Sequence, residues 1–220
     1  MTMLTRWGRA LDANAVLPEY PRPQLVRESY INLNGYWDYA ITRGDDAPRE
    51  YDGQILVPFS PEAPLSGVGR TLSPEETLWY RRAIPAERRE GERLILHFGA
   101  VDQEAEVYIN GLLVASHRGG YTAFEVDITD YISGSEDILT VRVKDATDTN
   151  EYTRGKQRTK RGGIWYTPQS GIWQTVWMEY VPEAYIAALR ITPDVAASCV
   201  RIEVQSASDA PCAVVFGGVR

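Results

Sequence analysis

The sequence predicts an all-β protein built as an antiparallel β-sandwich, on three observations. Strand-like runs of about five to eight residues recur at spacings of about ten, with Gly, Pro and Asx residues between them. No segment sustains the period of a helix, which argues against a parallel α/β sheet. Asn110-Gly111 sits between alternating apolar residues, the strongest short-range hairpin signal in a sequence.

Taken in order, residues 1–19 read as an extended leader. Pro18, Pro21 and Pro23 argue against a regular helix there and favour a run laid over the surface. Leu33–Ile41 is the first strand expected, with Trp37, Tyr39 and Ile41 on one face. Ile55–Phe59 is a short strand between turn-rich stretches, and residues 60–76 form a long Pro- and Gly-bearing loop. Leu78–Ile84 and Arg93–Phe98 follow. Then comes the Asn110-Gly111 hairpin. A two-residue loop pairs Ile109 with Leu112, Val107 with Val114 and Glu104 with His117. On that register Val107, Ile109, Leu112 and Val114 share an apolar face. Ala123–Ile128, Ile138–Val143 and Gly171–Val181 complete the set, while 145–163 loses apolar character altogether. Beyond Pro182-Glu183 come three more strand candidates, Tyr185–Ile191, Cys199–Val204 and Ala213–Phe216. They are too few for an independent sandwich.

The 220 residues carry a net charge of −7, which argues against nucleic acid or an anionic membrane as partner. No apolar run reaches a membrane span, and the N-terminus shows no secretory apolar region. A cytoplasmic protein is therefore expected. Cys199 and Cys212 lie in β-like, apolar surroundings and read as buried free thiols. With 2 His and no Cys-x-x-Cys, no transition-metal site is recognisable, and no cofactor is implied.

Several blocks, in order, resemble the N-terminal sugar-binding domain of family 2 glycoside hydrolases, the β-galactosidase, β-glucuronidase and β-mannosidase group. They are Tyr20-Pro21-Arg22-Pro23-Gln24-Leu25, Leu33-Asn34-Gly35-Tyr36-Trp37, Val57-Pro58-Phe59, Trp79-Tyr80-Arg81-Arg82, Leu96-His97-Phe98-Gly99-Ala100-Val101, Val107-Tyr108-Ile109-Asn110-Gly111, His117-Arg118-Gly119-Gly120-Tyr121-Thr122 and Ser170-Gly171-Ile172-Trp173-Gln174-Thr175-Val176-Trp177. Each is weak alone; the ordered set is specific. The resemblance implies a jelly-roll sandwich of the galactose-binding-domain type over 20–182. It also implies that 183–220 opens an immunoglobulin-like second domain. A TIM barrel holding both catalytic glutamates should follow, so no catalytic residue is carried over onto this chain. The partners implied are that barrel, carbohydrate, and further copies of the chain, since the family often forms dimers or tetramers.

Two stretches could meet a substrate or partner. Residues 154–163 place five basic residues among three glycines. Lys156 and Arg158 suit a loop against an acidic or polar surface such as the barrel, or a merely solvated loop. No helix follows to make a phosphate site. Next, Trp165 and Tyr166 offer aromatic faces for sugar C–H surfaces, and Gln169 can donate and accept. The family often has an acid at this place, so aromatic stacking replaces a direct polar contact; packing in an interdomain seam is the alternative. Tyr121 is grouped with this loop. His117, opposite Glu104, reads as a structural cross-strand partner, since no orienting group for a base is visible.

Overall fold

The computed structural model describes residues 4–215. Its elements in chain order are α1 (Arg6–Arg9), β1 (Tyr30–Asn32), β2 (Gly35–Arg43), β3 (Gly53–Val57), β4 (Glu76–Ile84), β5 (Glu92–Phe98), β6 (Val101–Asp102), β7 (Glu104–Ile109), β8 (Leu112–Arg118), β9 (Phe124–Asp127), β10 (Asp137–Lys144), β11 (Gly171–Ile172), β12 (Val176–Pro182), β13 (Ile186–Asp194) and β14 (Cys199–Ser206). A six-stranded sheet in the order β3-β2-β4-β10-β7-β8 faces a four-stranded sheet in the order β1-β12-β5-β9. Every pair within them is antiparallel.

The core follows from the alternation. Side chains two apart share a face, so β4 buries Leu78 and Tyr80, β5 buries Leu94, Leu96 and Phe98, and β10 buries Leu139, Val141 and Val143. β12 answers with Val176, Met178 and Tyr180, and Trp37 of β2 fills the centre. The Trp37 and Tyr80 rings meet edge to face at 6.3 Å. The small β6–β11 pair lies beside the sheets and brings Asp102 opposite Gly171.

The structure corrects several expectations. The leader contains the one-turn helix α1, capped by Thr5, whose hydroxyl accepts from the Gly8 amide at 3.0 Å. The Asn110-Gly111 turn forms as expected, both residues at positive φ (52° and 83°). Its register slips, however, between Val107 and Tyr108: Val107 pairs with Ala115 and Tyr108 with Leu113, leaving Val114 as the extra residue of a bulge. Leu112 and Leu113 consequently stand exposed, while Val114 and Ala115 pack on the core. The same slip moves His117 opposite Ala105 and puts Arg118 opposite Glu104. His117 stacks on Phe124 at 4.2 Å, and its Nε2 lies 3.1 Å from the Gly119 carbonyl. Cys199 and Cys212 are free but exposed: β13 and β14 pair only with each other, so no further sheet lies over Cys199 of β14, and Cys212 follows the hairpin in a stretch without strand. Residues 213–215 form no strand, and Phe216 lies outside the described residues.

The leader is held down by charge. Glu179 of β12 is buried on the outer face of the four-stranded sheet. It accepts from Tyr20 Oη at 2.7 Å, pairs with Arg22, and lies 3.2 Å from His97 Nε2. Burial alone would raise its pKa; the hydrogen bonds from His97 and Tyr20 and the charge of Arg22 outweigh that and hold it at about 2.

Candidate functional site

The 26-residue connection 145–170 between β10 and β11 is the longest segment without strand or helix in the sandwich. Connections of this length in a compact domain are usually functional or unstructured, and this one is stapled at its base. Asp145, the first residue after β10, accepts from the Thr147 amide at 2.7 Å and from Ser170 Oγ at 2.8 Å, so one buried carboxylate joins both ends. Glu62 accepts from the Ser170 amide at 3.1 Å. Asn150 Nδ2 donates to Gln103 Oε1 at 2.9 Å, and Gln157 Oε1 accepts from the Gln169 amide at 2.6 Å.

The tip closes on itself. The Tyr166 amide donates to the Lys156 carbonyl at 2.8 Å, and Gly162 and Trp165 exchange two backbone hydrogen bonds at 3.1 Å. Gly163, at φ 59°, supplies the left-handed turn between them. This folds Arg158 onto Trp165, with the guanidinium carbon 4.0 Å from the ring centroid. Trp165, Tyr166, Lys156 and Arg158 are thereby brought together at one tip. Tyr166 is 67% exposed and neighbouring Ile164 63%.

The other two candidates sit lower. The Tyr121 hydroxyl accepts from Gln157 Nε2 at 3.3 Å and its ring meets Trp173 edge to face. Gln169 turns toward the sandwich: its Oε1 accepts from Ser60 Oγ and its Nε2 donates to the Pro168 carbonyl at 2.9 Å. Both ends of that amide are engaged, so Gln169 anchors the loop instead of facing outward.

Three carboxylates that the sequence reading passed over lie under this base: Glu62, Asp102 and Asp145. Burial raises the pKa of all three. Asp102 reaches about 7 because it is desolvated and feels the charge of Asp145. Among the described residues its Oδ1 has no hydrogen-bond partner. A methyl at position 120 would overlap this carboxylate, which accounts for Gly120 in the Gly119-Gly120 pair. Asp145 was legible in part, since Asp-x-Thr immediately after a strand is an Asx-turn pattern. Asp102, an ordinary strand residue in sequence, was not.

The family model "Glycosyl hydrolases family 2, sugar binding domain" matches residues 63–182, more than half of the chain and all of the loop just described. The chain belongs to glycosyl hydrolase family 2. A β-galactosidase of Thermoanaerobacter pseudethanolicus is 36% identical over 112 residues, covering 49% of this chain and 14% of that protein. A β-glucuronidase of Sus scrofa is 26% identical over 212 residues, covering 80% of this chain and 32% of that protein. A Faecalibacterium prausnitzii β-glucuronidase structure superposes with a TM-score of 0.63 at 24% identity, covering 88% of this chain and 38% of that one. The chain thus spans about a third or less of the curated relatives named here. In this family 2 sugar-binding domain the fold is the antiparallel jelly-roll sandwich, and no helix among the described residues is long and apolar enough to cross a membrane.

Proposed function

We propose that this chain is the non-catalytic N-terminal portion of a β-glycosidase that hydrolyses O-glycosyl bonds, and that its 145–170 loop is presented to the substrate pocket of a catalytic barrel. One observation carries this reading. The loop is rigid at its base and displays aromatic and cationic side chains at its tip. A merely solvated loop would have no reason to expose Ile164 and Tyr166 beside Trp165. The local positive charge of Lys156, Arg158, Lys160 and Arg161 stands on a chain of net charge −7. Retaining glycosidases need two carboxyl groups about 5 Å apart, so a barrel mouth is acidic and complements this tip.

The roles divide accordingly. Trp165 stacks on a sugar or aglycone face and Tyr166 widens that platform. Arg158 covers the other face of the indole and, with Lys156, faces the acidic mouth. Gln169 and Tyr121 hold the loop at its root. The two carboxylates that perform the hydrolysis are contributed by the barrel. Residues 20–182 form the sandwich and 183 onward begins an immunoglobulin-like second domain; the unaccompanied β13–β14 hairpin, open at both edges, supports that division. The free, exposed thiols of Cys199 and Cys212 support a reducing, cytoplasmic setting. The test is to measure glycoside hydrolysis by the full-length enzyme carrying loop substitutions. Reduced kcat/KM with unchanged assembly supports a pocket role, whereas altered assembly with unchanged kcat/KM assigns the loop to structure alone.

A further inference from the structure

The β13–β14 hairpin belongs to neither sheet of the sandwich. Glu183, Ala184 and Tyr185 join it to β12, a connection that by itself would leave its direction free. Among the described residues, two side chains make the hydrogen bonds that cross from the hairpin to the sandwich. Arg27 Nη2 donates to the Ile186 carbonyl at 2.5 Å, and Arg22 Nη1 donates to the Ala187 carbonyl at 3.4 Å. The Arg27 guanidinium carbon also lies 5.9 Å from the centroid of the Tyr185 ring.

The hairpin's own geometry offers these acceptors. Its pairing slips at the start of β13: Ile186 faces Ser206 and Ala188 faces Gln205, so Ala187 is the extra residue of a bulge, outside the ladder. β13 has β14 on one side only, which leaves its other edge without a strand partner. Arg22 and Arg27 reach that strand where its backbone groups need partners. Both arginines are in turn held by one carboxylate. Arg22 Nη2 pairs with Glu179 Oε1, and Arg27 Nε lies 3.8 Å from Glu179 Oε2. Glu179 is buried on β12, between β1 and β5, so the anchor is part of the four-stranded sheet.

The backbone that carries the two arginines is stiff. Pro21 and Pro23 fix their own φ and confine Tyr20 and Arg22 to extended conformations. The Leu25 amide donates to the Arg22 carbonyl at 3.1 Å, a turn that brings Arg27 back to the same carboxylate. Arg22 Nε and Nη2 also donate to Tyr20 Oη, at 3.0 and 2.7 Å. Just upstream, Asn32 Nδ2 donates to the Leu17 carbonyl at 2.8 Å and Tyr30 Oη to the Glu19 carbonyl at 3.1 Å, which ties the leader to β1. We propose that residues 20–27 are a clamp: through Arg22 and Arg27, with Glu179 as shared anchor, they fix the direction in which the β13–β14 hairpin leaves the sandwich. Every group of the clamp lies within this chain, so it works without the barrel and without a ligand.

Double electron–electron resonance on the 220-residue chain tests it. With Cys212→Ser in place, one spin label goes on Cys199, which pairs with Asp194 at the end of the hairpin far from the clamp. The other goes on Glu90→Cys, an exposed position on the sandwich. The parent gives one narrow distance distribution. Arg27→Met keeps an apolar stem beside Tyr185 but removes the donors, and it broadens the distribution about twofold. Adding Arg22→Met broadens it further. Arg190→Met removes the hairpin's own ion pair with Glu203 and leaves the width unchanged. Near-UV circular dichroism identical to the parent's shows that the sandwich of the Arg27→Met variant is intact, so that variant decides even if the double variant unfolds. A broad distribution in the parent overturns the clamp, as does an unchanged width in Arg27→Met. Equal broadening by Arg190→Met also overturns it, because the width then reports the stability of the hairpin itself.

Discussion

The Arg158 guanidinium lies over the Trp165 indole, 4.0 Å from its centroid. The contact spans the short turn that Gly162 and Gly163 allow, and it fixes which face of the indole remains free. An exposed cation–π pair contributes about 0.5–1 kcal/mol. Arg158→Ala in the full-length enzyme is therefore expected to lower kcat/KM about threefold to fivefold. The melting temperature of this domain should fall by no more than about 4 °C, and steady-state kinetics beside a thermal melt checks both. Loss of stability without loss of rate would assign Arg158 to folding alone.

Arg22→Ala leaves Glu179 buried against a weaker set of partners. Breaking one side of a buried ion pair costs about 3–5 kcal/mol, and urea unfolding at pH 7 should show a loss of that order. Arg27, whose Nε is 3.8 Å from Glu179, recovers part of it.

The same carboxylate shapes the acid limb of stability. Its folded pKa of about 2 lies below the ordinary 4.5, so its contribution is complete above pH 4.5 and is lost as pH falls toward 2. Glu179→Gln should lower stability at pH 7 and flatten the curve in that window. A wild-type slope retained below pH 4.5 would assign the acid sensitivity to other groups.

Asp102 acts in the opposite sense. Its folded pKa of about 7 lies above the ordinary 3.8, so the folded state binds the proton more tightly and stability falls as pH rises from about 4 to 7. Asp102→Asn should match the parent near pH 4 and exceed it at pH 8, by up to about 4 kcal/mol. Chemical denaturation at the two pH values decides it; superimposable pH profiles would contradict the buried-charge account.

Gly120→Ala should destabilise by about 1–3 kcal/mol, because the added methyl overlaps the Asp102 carboxylate. The clash is with a side chain, so Asp102→Ala should relieve it. In a double-mutant cycle the two losses should sum to more than the loss in the double variant. Strict additivity would place the role of Gly120 elsewhere.

What could be read from the sequence divides by range. Strands such as Leu78–Ile84 and Ile138–Val143 announce themselves because burial on one face imposes period two on their own residues. The Asn110-Gly111 turn does so because only a few residue types accept positive φ. The bulge at Val107–Tyr108 has no local signature: it is set by how β8 packs over the core, and it displaced Val114 and His117 from their expected partners. Cys199 looked buried because apolar neighbours in a strand usually have a sheet above them, and β13–β14 has none. At the candidate site, the aromatic and basic tip was legible as composition. The base was not, since Glu62, Asp102 and Asp145 come from three separate stretches and meet only in the fold. Gln169 was legible as a polar group near the loop but not as an anchor, because its partner Ser60 is 109 residues away.

Trp165→Ala in the full-length glycosidase tests the central claim most directly. The indole is at the loop tip and holds none of the base contacts, so the domain should fold and melt as before. The account predicts a fall of about tenfold in kcat/KM for an aryl β-glycoside with assembly unchanged. An unchanged kcat/KM would contradict it.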